Sequence, residues 1–120
     1  HSIESKLEGQ ISPKAIIQGR VQIGEGTVIG DDVVVRGPVV IGKNCKIDHA
    51  YVGPYSSLGD DVEIIRGEVE HSIFMNKVSI NTDQRIVDSI LGENCQVRSK
   101  IHSLPSGHKL VIGENTFVEL

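Results

Sequence analysis

Apolar side chains return every six residues along the first part of the chain. Ile11, Ile17, Ile23, Ile29, Val35, Ile41 and Ile47 form an unbroken ladder. Four residues after each rung stands a second side chain that is small or apolar: Ala15, Val21, Thr27, Val33, Val39, Cys45 and, larger, Tyr51. A helix repeats its apolar face roughly every 3 to 4 residues and a strand about every 2, so a period of six belongs to neither. It predicts a solenoid in which each hexad is one short strand plus a corner. Three hexads close a triangular coil of about 18 residues, and stacked coils enclose the rungs in a parallel β-helix.

The ladder continues beyond Ile47 through Val52, Leu58, Ile64, Val69, Phe74, Ile80, Ile86, Leu91 and Val97. Four of its steps are five residues long, which tightens a corner and keeps the inside column. Sixteen rungs make a little over five coils, and at roughly 4.8 Å between strands the prism is about 25 Å long. Sorted by face, one inside column reads Ala15, Val33, Tyr51, Glu68, Gln84 and Ile101. Glu68 and Gln84 do not suit a dry interior. Either the register slips between Ile64 and Val69 or that corner bulges outward, and the bulge is the favoured expectation. Residues 1–10 read as an irregular lead-in, 11–97 as the coils, and 98–120 as a loop and C-terminal cap of the same domain. The chain opens without Met, and Met75 is its single methionine, which reads as an excised fragment.

Composition agrees with a narrow prism: two Phe, two Tyr and no Trp, with thirteen Gly falling largely in the corners. Gly and Asn suit the positive φ of sharp turns, and Pro38 and Pro54, each after a Gly, fit turns as well. The net charge of −4, without a basic stripe or aromatic platform, argues against a nucleic-acid partner. No apolar run approaches membrane-spanning length, so the expectation is a soluble, cytoplasmic protein. Cys45 and Cys95 fall in one inside column three coils apart, about 14 Å by the strand spacing. That is too far for a disulfide, and buried free thiols fit a reducing compartment.

Candidate chemistry is sparse. A hexapeptide-repeat zinc enzyme of the γ-carbonic anhydrase kind needs three converging imidazoles, and His1, His49, His71, His102 and His108 suggest no such set, so no metal site is expected. His49 and His71 share a local pattern, IDHAYV at 47–52 and VEHSIF at 69–74, while IVDSIL at 86–91 carries Asp88 where the histidine would be. A hexapeptide acyltransferase uses a histidine near a subunit interface as general base, which makes His49 and His71 its two candidates here. The plainer reading is a solvated corner residue beside an acid. The Asp31-Asp32 and Asp60-Asp61 pairs read as solvated turns.

RGPVVIG at 36–42, YVGPYSSLGDD at 51–61, VEHSI at 69–73, RIVDSILG at 85–92 and GHKLVIGENTFVEL at 107–120 together resemble the C-terminal region of long-form glucose-1-phosphate thymidylyltransferases. These sugar-nucleotide pyrophosphorylases make dTDP-glucose from dTTP and glucose 1-phosphate. The resemblance covers roughly residues 8–120. It implies an all-β, single-stranded left-handed parallel β-helix, a hand that runs against the usual crossover. In that family the chemistry, and the Mg that supports it, belong to an N-terminal nucleotidyltransferase domain. No catalytic residue therefore carries over onto this sequence. What the resemblance implies for the chain is a homo-oligomer with apolar side chains exposed on one prism face. It also implies packing against the catalytic domain, or a regulatory ligand between subunits as in related ADP-glucose pyrophosphorylases. Two alternatives stay open: an acyltransferase using acetyl-CoA and an amino-sugar phosphate, and a scaffold solenoid without a catalytic partner.

Overall fold

The computed structural model describes residues 6–99 together with 113 and 114. All regular elements among them are strands, most of two to four residues, and their pairings are parallel. Partners lie 15 to 18 residues apart, as in Leu58 with Phe74 and Ile17 with Val35. The expected parallel β-helix is what forms.

Three faces run along it. The first holds Gln10–Ile11, Val28–Ile29 and Lys46–Ile47, then the leading halves of Glu63–Glu70 and Ser79–Val87, and Gln96–Arg98. The second holds Ile16–Gln18, Val33–Arg36 and Ala50–Val52, then the trailing halves of the same two long strands. The third stacks Lys6–Leu7, Val21–Ile23, Val39–Ile41, Ser56–Leu58, Ile73–Phe74 and Ile90–Leu91. Because Glu63–Glu70 and Ser79–Val87 continue around a corner, the first two faces merge into one sheet.

The alternation of the short strands explains the packing. In Val21–Ile23, Val39–Ile41 and Ser56–Leu58 the first and third side chains are buried and the middle one is exposed. Twelve of the sixteen rungs are buried, and Ile11, Ile17, Ile86 and Val97 are partly buried against them. The hydroxyl of Thr27 donates to the Gly42 carbonyl at 2.7 Å and accepts from the Cys45 amide at 3.0 Å. Ser72 likewise donates to the Glu70 carbonyl and accepts from the Ser89 amide. Between the third and first faces, Gly26, Asn44, Asp61, Lys77 and Asn94 all have φ between 57° and 80°. Gly, Asn and Asp enter that region most readily, and Lys77 is the exception. Both cysteines are buried and outside any disulfide, three coils apart by the pairing of Lys46, Glu63, Ser79 and Gln96.

The structure corrects the sequence reading in four places. The first coil begins before Ile11: Lys6–Leu7 already pairs with Gln22 and Ile23, so residues 6–10 are not an irregular lead-in. Leu7 precedes Ile11 by four residues, a step the six-residue ladder passes over. Tyr51 is not an inside residue. The five-residue step from Ile47 to Val52 moves the inside place to Ala50, 7 % exposed, and Tyr51 turns outward. Glu68 turns outward for the same reason, with Gly67 buried at the inside place. Gln84 is exposed through the bulge, since Ser79–Val87 carries a register irregularity against Glu63–Glu70 and buried Thr82 takes the interior. Strand pairing also runs one residue past Val97, to Arg98. Most of the expected cap lies outside the described residues. Within them, the Gly113 amide donates to Cys95 Sγ at 2.9 Å.

Candidate functional site

The two histidine candidates sit in different corners. His49 turns the chain between the first and second faces with φ 46°. Its Nδ1 lies 3.3 Å from Asp32 Oδ2, one coil earlier, and its Nε2 lies 3.8 Å from Asp48 Oδ1. His71 turns the chain between the second and third faces with φ 56°, and its amide donates to the Pro54 carbonyl. The structure therefore does not bring His49 and His71 together. It does bring His71 to Asp88, whose Oδ1 lies 3.1 Å from His71 Nδ1. The aspartate that stands in the third copy of the pattern is stacked one coil beyond the histidine of the second. The Tyr55 ring meets the imidazole edge-on, with centroids 5.5 Å apart.

A carboxylate on Nδ1 fixes the ring and leaves Nε2 as the proton-accepting atom, which is the arrangement of a general base. Both imidazoles are however more than 60 % exposed and their acids largely so. In bulk water such a pair is an ordinary surface contact. Among the described residues no group of three His, Cys, Asp or Glu side chains is placed to hold a metal ion. His1, His102 and His108 lie outside the described residues. Burial pushes the Cys45 thiol up from its ordinary value, with the carboxylates of Asp60 and Asp61 adding to the effect, so it is no nucleophile at neutral pH.

Two surface features leave little trace in the sequence as sites. On the second face, Arg36 Nε donates to Gln18 Oε1 at 3.1 Å, and its guanidinium lies over the Tyr51 ring, 5.8 Å from the centroid. Tyr51 donates to Glu70 Oε2 at 3.2 Å, and Arg85 donates to Glu70 Oε1. This polar ladder spans five coils. Its one signal in the sequence is the spacing of these residues by about one coil, hidden by the five-residue steps.

The third face is different. Its outward row reads Lys6, Gln22, Val40, Ser57, Ile73, Ile90, each paired to the next. Val40, Ile73 and Ile90 are 45–47 % exposed, and Tyr55 and Met75 flank them at 66 % and 50 %. Two shallow depressions lie on this face. One, about 480 Å³, includes Ser57, Ile73, Met75 and Ile90, and the other, about 260 Å³, includes Gln22, Pro38, Val40 and Tyr55. The expected apolar face is present.

Residues 35–119 match the family described as the GMPPB C-terminal domain, and residues 20–49 match the bacterial transferase hexapeptide repeat. The glucose-1-phosphate thymidylyltransferase of Streptomyces antibioticus is 34 % identical over 118 residues, covering 98 % of this chain and 33 % of that protein. The low-salt glycan biosynthesis nucleotidyltransferase Agl11 of Haloferax volcanii is 40 % identical over 116 residues, covering 96 % of this chain and 32 % of that protein. The chain thus spans about a third of the length of these relatives. Among solved structures, a GDP-perosamine N-acetyl transferase from Caulobacter crescentus superposes with a TM-score of 0.57 at 17 % identity, covering 85 % of this chain and 52 % of that one. That likeness concerns the fold alone.

Proposed function

The chain belongs to the GMPPB C-terminal domain family, and from that membership we propose that it is the C-terminal β-helix of a glucose-1-phosphate thymidylyltransferase. In this reading a preceding nucleotidyltransferase domain condenses dTTP with glucose 1-phosphate, releasing pyrophosphate, with Mg bound there. The β-helix serves assembly or regulation, and the protein is cytoplasmic, in keeping with two buried cysteines outside any disulfide.

One observation carries this reading. Thymidylyltransferases from two Streptomyces species match 98 % of this chain while the chain matches only 32–33 % of them. The described residues support a role outside the chemistry: their histidines stand singly in separate corners, and their surface is most distinctive where it is apolar. The His71–Asp88 pair is the observation that favours an acyltransferase with acetyl-CoA as the second reading. Its exposure, and the separation from His49, weigh against that.

The test is the complete product of the gene that encodes this chain, assayed for dTDP-glucose from dTTP, glucose 1-phosphate and Mg. Pyrophosphate release dependent on all three is expected. Release of CoA from acetyl-CoA, lost in His71→Ala, would replace the first reading with the second.

A further inference from the structure

We propose that the corner between the second and third faces carries a nucleotide site within a single copy of the chain, in which Tyr55 stacks on the base and Arg20 holds the phosphate. The site goes beyond the assembly or regulatory role proposed above and stands on the geometry of this corner.

The register places one residue of each coil in a single column here. Counting two back from the paired Gln22, Val40, Ser57, Ile73 and Ile90 gives Arg20, Pro38, Tyr55, His71 and Asp88. The last three have φ of 64°, 56° and 50°. His and Asp are enriched in that left-handed region, whereas a bulky side chain there is an outlier. Tyr55 gains no burial in return, since it is 66 % exposed. Strain under an exposed aromatic ring points to a functional side chain and not to packing. The ring is supported along the column by His71, which meets it edge-on and is itself held by Asp88.

Beside Tyr55 lies the depression of about 260 Å³, with Pro38, Val39 and Val40 as apolar walls and Arg20 and Gln22 as polar ones. Arg20 is exposed, and among the described residues its guanidinium has no ion-pair or hydrogen-bond partner. No acid lines the depression. Lys6, next to Gln22 in the outward row, is taken up by Glu8 at 3.2 Å. In a chain of net charge −4, Arg20 is a local positive point open to an anion.

These groups select the ligand. A guanidinium fork suits a phosphate, and an exposed tyrosine ring suits the π-face of a base. Arg20 and Tyr55 stand two coils apart, roughly 10 Å at ~4.8 Å per coil, a span of the order of a mononucleotide's length. The volume lies below the ~300–1,000 Å³ of drug-sized pockets, which leaves room for one ring and one acidic group. Beside Arg20 the exposed hydrogen-bonding groups are Gln22 and the Tyr55 hydroxyl, too few for the hydroxyls of a sugar phosphate, which would go unpaired against apolar walls. A pyrimidine mononucleotide meets these requirements.

Isothermal titration calorimetry of the chain with dTMP tests the site, with thymidine, glucose 1-phosphate and inorganic phosphate as comparison probes. dTMP is expected to bind saturably and at least tenfold tighter than each of the three. Arg20→Gln should bring dTMP down to the level of thymidine. Arg66→Gln, an equal loss of charge on an exposed residue of Glu63–Glu70, should change nothing. Tyr55→Asn should weaken dTMP at least tenfold and at the same time raise the thermal unfolding midpoint, because Asn suits φ 64° better than Tyr. Loss of binding in a variant more stable than wild type cannot come from unfolding. Absence of saturable dTMP binding, binding that survives Tyr55→Asn, or a lowered midpoint in that variant would overturn the proposal, the last by making Tyr55 a structural residue. Glucose 1-phosphate bound as tightly as dTMP would overturn it in favour of a sugar-phosphate site. None of these outcomes bears on dTDP-glucose synthesis by the complete gene product, so this site and the functional reading fail separately.

Discussion

Gly42 and Gly30 each follow a rung directly, and the structure separates their fates on replacement by alanine. A Cβ added at Gly42 meets the Asp60 carboxylate and, behind it, the Gly59 carbonyl oxygen at 2.6 Å and its carbon at 2.7 Å. Ordinary contact lies near 3.5 Å, so neighbouring coils have to part by roughly 0.8 Å at a place where both sides are backbone. Overpacking of this kind costs about 1–3 kcal/mol. Parting also stretches the bonds from Gly42 N to Leu58 O and from Lys43 N to Asp60 Oδ1, now 2.9 and 2.8 Å, at about 1 kcal/mol each if lost. Restricting the unfolded chain returns about 0.4–1 kcal/mol. The net expectation for Gly42→Ala is a loss of about 2–3 kcal/mol. At Gly30 the added Cβ meets the Asp48 side-chain carboxylate, while the nearest backbone atom is 3.5 Å away. Asp48 is 40 % exposed and can turn into solvent, so Gly30→Ala should stay within about 0.5 kcal/mol of wild type. Urea unfolding followed by circular dichroism reads both as midpoint shifts at constant slope. Equal midpoints for the two variants, or a Gly42→Ala midpoint at the wild-type value, would refute the claim that backbone stacking at this corner limits the coil spacing.

The rest of the ladder gives three further expectations. Ile64→Ala, at a wholly buried rung between Ile47 and Ile80, should cost about 3–4 kcal/mol, against about 1 kcal/mol for Ile11→Ala at the half-buried end, both read by urea midpoint. Lys77→Asn should raise stability by a few tenths to about 1 kcal/mol, because φ 63° suits Asn better than Lys. A thermal midpoint below wild type would contradict that. Burial raises the Cys45 thiol above its ordinary value of 9.0, so the unfolded chain loses this proton first. The associated stability is present below about pH 9 and lost as pH rises through the folded-state value, and Cys45→Ala should flatten that decline in a pH series of urea midpoints.

The period of six makes most of the fold readable. Rungs from Ile23 to Ile80 are buried where the ladder places them, because a solenoid interior is one dimension of repetition and the sequence shows it directly. What the period does not record is the register of a shortened step. Counting forward from Ile47 assigns Tyr51 inward, whereas counting back from Val52 gives Ala50, the residue that is buried. Glu68 and Gly67 repeat the lesson. At the first coil a four-residue step breaks the ladder and hides Leu7. The site is less legible, because its contacts run between coils and not along the chain. His71 meets Asp88, Arg36 meets Tyr51, and Tyr51 meets Glu70, each pair separated by about one coil of sequence. Only a correct coil register brings those names together. The aligned pattern that puts Asp88 in the histidine position is the one signal of the pair, and it points to equivalence where the structure shows contact.

The most direct test is a paired assay of the complete gene product and of this chain by itself. The complete product is predicted to form dTDP-glucose from dTTP and glucose 1-phosphate, and the chain alone neither to do so nor to release CoA from acetyl-CoA. CoA release by the chain alone in the presence of an amino-sugar phosphate, abolished in His49→Ala or His71→Ala, would contradict this and place an active site on the β-helix itself.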